Sequence, residues 1–535
     1  MKAPLLLLSL LLSFFGNAQT DFSSQLPLLR IETGGAKIVD EPKIMARLSI
    51  IDHADGRGNR PEDTPDGYDG FIGIELRGSS SQQRFPKKGF GLETWDEMGE
   101  DVDVGMLGMP SEEDWVLHGP YSDKSLIRNA LTYRLAEQMM DYAPRSRLVE
   151  LFVDGEYRGV YLFTEKIKRD EARVDISRLR EEDNSGDQLT GGYLLKFDKF
   201  NGNKEEENRS FWFPSVYGSA INSAKSEEVS IQYDYPAPED ITDPQRSYIQ
   251  RFIREFEERL AGEDFTDPSR GYRPLVDLPS FVDFMLVNEL TRNVDGYRLS
   301  TWMYKTKDSK GGKLHMGPVW DFNLAFGNAN YCNGSRTDGW AYDFNWVCPE
   351  SSPLLPFWWE RMRQDPVFLG MVQDRWRELR NGLLHDDHLD RMVDSLVSEM
   401  GGAVDRNFER WPVIGTHVWP NDFVGSSYAE ELTHLRGWMH ERTAWLDGAI
   451  PKLEVPTALN GPLLLSPNPA RGSFRMLVDG EVWTEKSRLY DSLGRLVLEG
   501  TPGQTEFDVR GLPTGLYFFS VIANATELSA KVFIR

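Results

Sequence analysis

The sequence predicts an α+β fold in two lobes with a small all-β module behind it, and three observations carry that expectation. Between Leu26 and Asp198 the apolar residues come in short runs broken by Gly, Pro and Asp, the pattern of strands joined by turns. From Asp243 onward the apolar period lengthens from two to about 3.6, the repeat of helices with a buried face. Beyond a Pro- and Gly-containing linker at Pro451–Pro462, only short strand-like runs separated by turn residues remain. Strands first and helices second is the order of an α+β domain.

Taken in order, the chain opens on Met1–Ala18: Lys2, an apolar run from Leu5 to Phe15, then Gly-Asn-Ala. A positive start, a run of that length and small residues at its end predict a secretory signal peptide cleaved after Ala18. No later segment has the length or apolarity to cross a bilayer, so no transmembrane segment is expected after cleavage. Leu28–Ile31 and Met45–Ile50 read as strands. Phe71–Leu76 is another, and it leads into Arg77-Gly78-Ser79-Ser80-Ser81, a turn whose backbone N–H groups can face an anion. Lys87 and Lys88 then begin a further strand, either to reach a phosphate or to stand solvated at a sheet edge. Tyr121–Tyr142 has a helical stripe at 126, 127, 130, 131, 135 and 139, with Ser122 or Asp123 as N-cap. Arg128 and Asn129 on its early turns face either a cleft or solvent. Leu148–Lys168 is a hairpin around Asp154-Gly155, closed by Glu165 and Lys166. Gly191–Asp198 is a strand ending in an acid. Gln245–Leu260, Leu278–Leu290, Phe357–Arg380, Leu389–Trp411 and Ser426–Asp447 read as helices. In the tail, Leu463–Leu465, Ser473–Val478, Ser487–Tyr490, Arg495–Leu498, Thr505–Val509, Leu516–Ile522 and Leu528–Ile534 predict a small antiparallel β-sandwich.

Composition narrows the function. With 60 Lys and Arg against 84 Asp and Glu, the formal charge of −24 argues against nucleic acid as a partner, because such binding needs cations against phosphates. Abundant aromatics, with 15 Trp, 19 Tyr and 29 Phe, exclude a disordered chain. The two cysteines, Cys332 and Cys348, stand in one loop-like region of an exported chain, so one disulfide between them is expected.

The segment Asn293–Asn328 sets Asp295 just past a helix and Asp321 at the end of a strand, with a hairpin between them. Phosphoryl transfer needs one carboxylate near the attacking hydroxyl and another holding a phosphate-neutralising metal, and two acids so placed can supply both. Their separation and the Trp320-Asp321-Phe322-Asn323 sequence resemble the catalytic-loop and metal-binding acids of protein kinases. No His-Arg-Asp precedes the first, however, and no Gly follows Phe322. On spacing alone, turn and strand-end acids are an equal reading.

The ordered set RGSSS, PKKGFGLE, SLIRNALTYRLAEQM, VELFVDGEYRGVYLFTEKI, GGYLLKFD, NVDGYRLSTWMYK and GPVWDFNLAFGN resembles the CotH family, atypical kinases named after a spore-coat protein. The likeness runs from about Leu26 to Pro451. It implies a divergent two-lobed protein-kinase-like fold that binds ATP with Mg²⁺, or Mn²⁺ or Ca²⁺, and phosphorylates Ser or Thr of secreted or surface proteins. Asp295 would be the catalytic acid and Asp321 the metal-binding acid, with Asn323 beside it. Arg77, Lys87 and Lys88 would be candidates for phosphate contact, with Glu165 as a lysine's partner. Two positions depart from the family pattern. Asn323 stands where many relatives carry Asp, and Ser300 stands where kinases carry the catalytic-loop Asn. A surface binding or adhesion protein that keeps the fold without turnover is therefore the alternative.

LSPNPARGSF, LYDSLGRLV, FDVRGLPTGLYFFSVI and the terminal KVFIR resemble the type A sorting domain of the type IX secretion system. That likeness implies the secretion machinery as a partner and a secreted or outer-surface location. The expected organisation is signal peptide 1–18, CotH-like kinase domain 19–452, linker 453–462 and sorting domain 463–535.

Overall fold

The first seven strands pair until the sheet closes on itself. Strands β1 (Leu28–Glu32), β2 (Ile44–Ile51), β3 (Asp69–Arg77), β4 (Gly89–Trp95), β5 (Asp114–His118), β6 (Ser146–Val153) and β7 (Glu156–Glu165) form a closed barrel in the order β1-β2-β3-β4-β5-β7-β6. Closure removes both sheet edges and leaves an interior for side chains alone, which Leu48, Ile72, Leu92, Trp115, Leu151 and Phe163 occupy. The computed structural model describes residues 22–200, 208–220, 226–453, 464–477, 486–491, 495–523 and 526–534. The signal segment and nearly all of the expected linker lie outside them.

Two helices interrupt the barrel strands. Helix α1 (Ser80–Arg84) forms the tip of the β3–β4 hairpin and has no buried residue. Helix α2 (Arg128–Ala136) is buried almost throughout and begins later than its stripe suggests. Leu126, counted in that stripe, has φ +66 and breaks the helix, while the Asp123 carboxylate accepts from the Arg128 N–H at 2.9 Å. The stripe reports burial here, not helical backbone.

A second sheet follows, in the order β12-β11-β8-β10-β9, from β8 (Tyr193–Phe197), β9 (Trp212–Pro214), β10 (Ser230–Tyr235), β11 (Thr301–Lys305) and β12 (Leu314–Met316). Helices α3 (Asp243–Ala261) and α4 (Leu278–Thr291) precede the β11–β12 hairpin. A capping box between Thr242 and Gln245 starts α3, and the Asp277 carboxylate caps α4. Eleven residues of α4 are buried, so it runs through the core as a fixed support for whatever follows it.

Apart from two four-residue turns of helix at Gly186–Leu189 and Phe344–Val347, the remaining helices among the described residues are α5 (Trp358–Met362), α6 (Pro366–Arg380), α7 (Asp386–Met400), α8 (Ala403–Arg410) and α9 (Tyr428–Ala449). Two expected helices are thus split. Pro366 has no N–H to continue a helix and starts a new one with Asp365 as its cap. At the other break, Gly401 takes φ +46. No helix among the described residues is long and apolar enough to cross a membrane.

Among the described residues of the tail stand seven strands at the seven expected places, β13 (Leu464–Arg471) to β19 (Thr526–Ile534). Phe474 and Phe507 from one part of its sheet pack on Phe519 from another, with centroids 4.8 to 5.4 Å apart.

Candidate active site

Three neighbouring strands deliver the site from one edge of the second sheet. Strand β8 runs out at Asp198, β11 begins after Ser300, and β12 leads through Gly317–Trp320 to Asp321. The antiparallel register pairs Phe197 with Thr301, so Asp198 and Ser300 face each other one step beyond, and the Ser300 N–H donates to Asp198 Oδ1 at 3.4 Å. Strand β12 is antiparallel to β11, which returns the chain to the same edge.

Asp295 arrives from the other side, on the turn that ends α4. Its N–H donates to Asn293 Oδ1 at 3.2 Å, and Arg298 Nη2 holds its Oδ1 at 2.8 Å. Arg298 is 4% exposed and lies over the Phe344 ring at 4.2 Å, which fixes the guanidinium and hence one oxygen of the acid.

The segment carrying Asp321 is gripped by α2. Tyr133 Oη accepts the Asp321 N–H at 3.2 Å, and Asn129 Oδ1 accepts that of Phe322 at 2.6 Å. Tyr133 also stacks on Trp320 at 5.8 Å, and Arg128 Nε reaches the Ala325 carbonyl at 3.1 Å. Of the two readings of Arg128 and Asn129, neither solvent nor an open cleft is correct: both are buried and hold this segment. Asp321 is at φ +63 and Ser300 at φ +47, a left-handed conformation that non-glycine residues seldom adopt. Such backbone persists only where surrounding bonds over-determine it, as they do here.

Electrostatics tie the acids into one cluster. Burial pushes the Asp321 carboxyl up to about 7, and the charges of Asp295 and Asp198 push in the same direction, against Lys199 and Arg77. Burial also raises Asp198, against Lys196 and two backbone N–H donors. Arg77 lies over the Trp320 ring at 5.9 Å, and Lys199 Nζ meets Ser80 Oγ at 3.3 Å, so the Arg77–Ser81 turn hangs over the acids.

The structure therefore brings Asp295, Asp321 and Arg77 together, with Asn323 half-buried two residues beyond Asp321. It does not bring the lysines or Glu165 into a shared pair. Lys87 is 2% exposed and spends its ammonium on the Val160 carbonyl at 2.6 Å, Asn407 Oδ1 at 2.8 Å and the Pro120 carbonyl at 3.5 Å. No donor remains for a phosphate. Lys88 bonds the Gln82 carbonyl. Glu165 is fully buried and pairs with Arg145 at 2.8 Å, accepting also from Tyr142 Oη at 3.1 Å. Sequence reasoning placed Asp198 only as a strand end. The signal that singled out Asp321, an acid at the end of a strand, marks Asp198 equally.

The donors suit a hard divalent cation: carboxylate and amide oxygens, with no sulfur or imidazole among them. Asp198, Asp295 and Asp321 do not form a closed cage. Among the described residues only Asp103, Glu112 and Glu113 bring three ligand atoms within 4.8 Å, and there Lys168 Nζ sits 2.6 Å from both glutamates, the cation already supplied by the chain. An open set of acids fits Mg²⁺, which takes one or two carboxylates and completes its shell with water and phosphate oxygens.

The expected disulfide is present. Cys332 and Cys348, with Cα atoms 5.4 Å apart, close the loop that follows the second acid.

A family model described as CotH kinase protein matches residues 74–446. A second, described as secretion system C-terminal sorting domain, matches residues 465–535. No curated protein matches the chain.

Proposed function

We propose that this chain, which belongs to the CotH kinase family, is an exported kinase with a protein-kinase-like arrangement that transfers the γ-phosphoryl group of ATP to Ser or Thr hydroxyls of secreted or surface proteins. The sorting domain directs the protein to secretion or to the outer surface through the type IX system. The observation that carries the reading is Asp321, raised by burial and by the charges of Asp295 and Asp198, close to a turn that presents Arg77. A site of that kind is complete only when cations and phosphates enter it together.

In this reading Asp321, with Asn323 and Asp198 near it, would hold a divalent cation, which would supply charge neutralisation for the phosphates. Asp295 receives the acceptor's proton on Oδ2, since Arg298 occupies Oδ1 and fixes the carboxylate plane. Arg77 and Lys199 meet the remaining phosphate charge, and the tethers from Tyr133 and Asn129 keep Asp321 in place.

Labelled ATP with Mg²⁺ or Mn²⁺ and a generic protein acceptor tests this directly. Asp295→Ala abolishes transfer and largely keeps nucleotide binding, because a base acts on the nucleophile and adds little to ground-state affinity. Asp321→Ala loses metal-dependent nucleotide binding as well. If both variants keep wild-type affinity and transfer, the kinase reading fails and a binding protein takes its place.

A further inference from the structure

The tip of the β3–β4 hairpin is tied across the acids by one exposed stack. The Arg84 guanidinium lies over the Trp419 ring at 4.1 Å, and Trp419 stacks on Tyr331 at 5.9 Å with the rings 5° from parallel. Arg84 ends α1 on the barrel side. Trp419 belongs to the loop between α8 and α9, and Tyr331 to the segment between Asp321 and the disulfide. Burial, followed by Asp295 and Asp321, raises the Tyr331 hydroxyl against Arg298 and Arg84.

The two sides of this stack are mounted differently. On the helical side, the Pro420 carbonyl accepts from the Asn330 N–H at 2.8 Å, and Asn421 Nδ2 donates to the Ser122 carbonyl at 2.7 Å and to Asn328 Oδ1 at 2.8 Å. That side is fixed. On the barrel side, α1 buries nothing, and Gly78 at its base has φ +106, a conformation open to glycine; a Cβ there would meet Ser81 Oγ at 2.2 Å. Besides Arg84, the tip is held by Gln82 on Asp40 at 2.6 Å, by Lys88, by the Lys199–Ser80 contact and, at its base, by the Phe85 ring against Tyr121 at 5.4 Å.

We propose that Arg84, Trp419 and Tyr331 form a clasp that holds the hairpin tip closed over the acids, with Arg84 and Trp419 as positioning residues that set how long a nucleotide is kept beneath it. An exposed cation–π contact is a weak bond, suited to opening and closing on each cycle. The clasp itself stands on geometry; its effect on a nucleotide rests on the kinase reading.

The Arg84–Phe85 bond is a tryptic site in the clasp itself, so cleavage there reads opening directly in the full mature protein. Trp419→Ala nicks roughly threefold to fivefold faster than wild type without nucleotide, and Trp419→Phe stays close to wild type. Thermal melts of the variants confirm that both fold. Equal nicking of wild type and Trp419→Ala overturns the clasp. Mg²⁺–ATP slows nicking in the wild type; faster nicking of Trp419→Ala with no nucleotide protection in any variant overturns the nucleotide role alone. For affinity, Arg84→Gln and Trp419→Ala each weaken Mg²⁺–ATP binding by a similar factor, and the double variant weakens it no further, because the two residues share one contact. Additive losses overturn the shared clasp.

Discussion

Glu289 and Asp321 are carboxylates set in the same helical half of the molecule, and their surroundings differ in kind. Glu289, fully buried on α4, meets Arg442 Nη2 at 3.1 Å, Tyr297 Oη at 3.0 Å and the N–H groups of Ala341 and Tyr342 at 2.8 and 3.0 Å. Arg442, itself fully buried on α9, spends its other donors on the Glu289, Thr337 and Gly339 carbonyls. Every charge there has its opposite within the chain. Asp321 has its backbone held firmly, yet the acids nearest its side chain, Asp295 and Asp198, add to its burden. One region is electrically closed and the other is open, the contrast on which the proposed cation site rests.

The largest effect comes from opening the closed region. Arg442→Met leaves Glu289 buried without its countercharge and costs about 3–5 kcal/mol in urea unfolding of the mature protein. Adding Glu289→Gln recovers part of that loss, because a neutral amide no longer needs the ion. A loss in the single variant below roughly 1 kcal/mol breaks the comparison.

The second prediction closes the open region and has the opposite sign. Asp321 ionises near 7 in the folded protein, well above its unfolded value of 3.8. As pH rises from about 4 to about 7, the unfolded chain ionises this group while the folded one keeps it protonated, so it destabilises the fold increasingly and stays costly above 7. Asp321→Asn therefore raises the melting temperature of the metal-free protein at pH 8, by a few degrees, and changes it little at pH 4. In wild type, Mg²⁺ with ATP stabilises more at pH 8 than at pH 6, and the variant loses that increment. An Asp321→Asn protein less stable than wild type at pH 8 without metal removes the argument that this charge is uncompensated.

The same contrast explains what the sequence revealed. Asp295 and Asp321 were legible as acids that follow periodic elements, their proposed roles only through the family resemblance, and the disulfide because two cysteines stand in one region of an exported chain. The tail's seven strands were legible from local alternation and turns. Lys87 was not: its environment is made by Val160 and by Asn407, 320 residues away, and nothing local announces burial at a strand start. Glu165 likewise found Arg145 instead of a lysine. Asp198 entered the site through the Phe197–Thr301 register, which is long-range pairing, and barrel closure depends on β1 meeting β6 across the chain. Patterns of period two and 3.6 give elements and their ends; which ends meet is decided by pairing between distant segments.

The smallest predicted effect sharpens the comparison at Asn323. This residue stands two positions beyond Asp321, and its carbonyl already accepts from Asn328 Nδ2 at 2.8 Å, so the local backbone is tethered whatever the side chain. Asn323→Asp adds one more negative charge close to Asp321 without removing that tether. Without metal the added charge pushes Asp321 further up and lowers the melting temperature at pH 8, the sign opposite to that of Asp321→Asn. With Mg²⁺ the same charge becomes a ligand, and the metal concentration needed for half-maximal ATP binding falls by roughly threefold to tenfold, because hard cations gain affinity with each carboxylate offered. The two halves must appear together, since both come from one charge meeting the same ion. A variant that loses stability without tightening metal places residue 323 among the acids and away from the cation, leaving Asp198 as the other carboxylate beside Asp321.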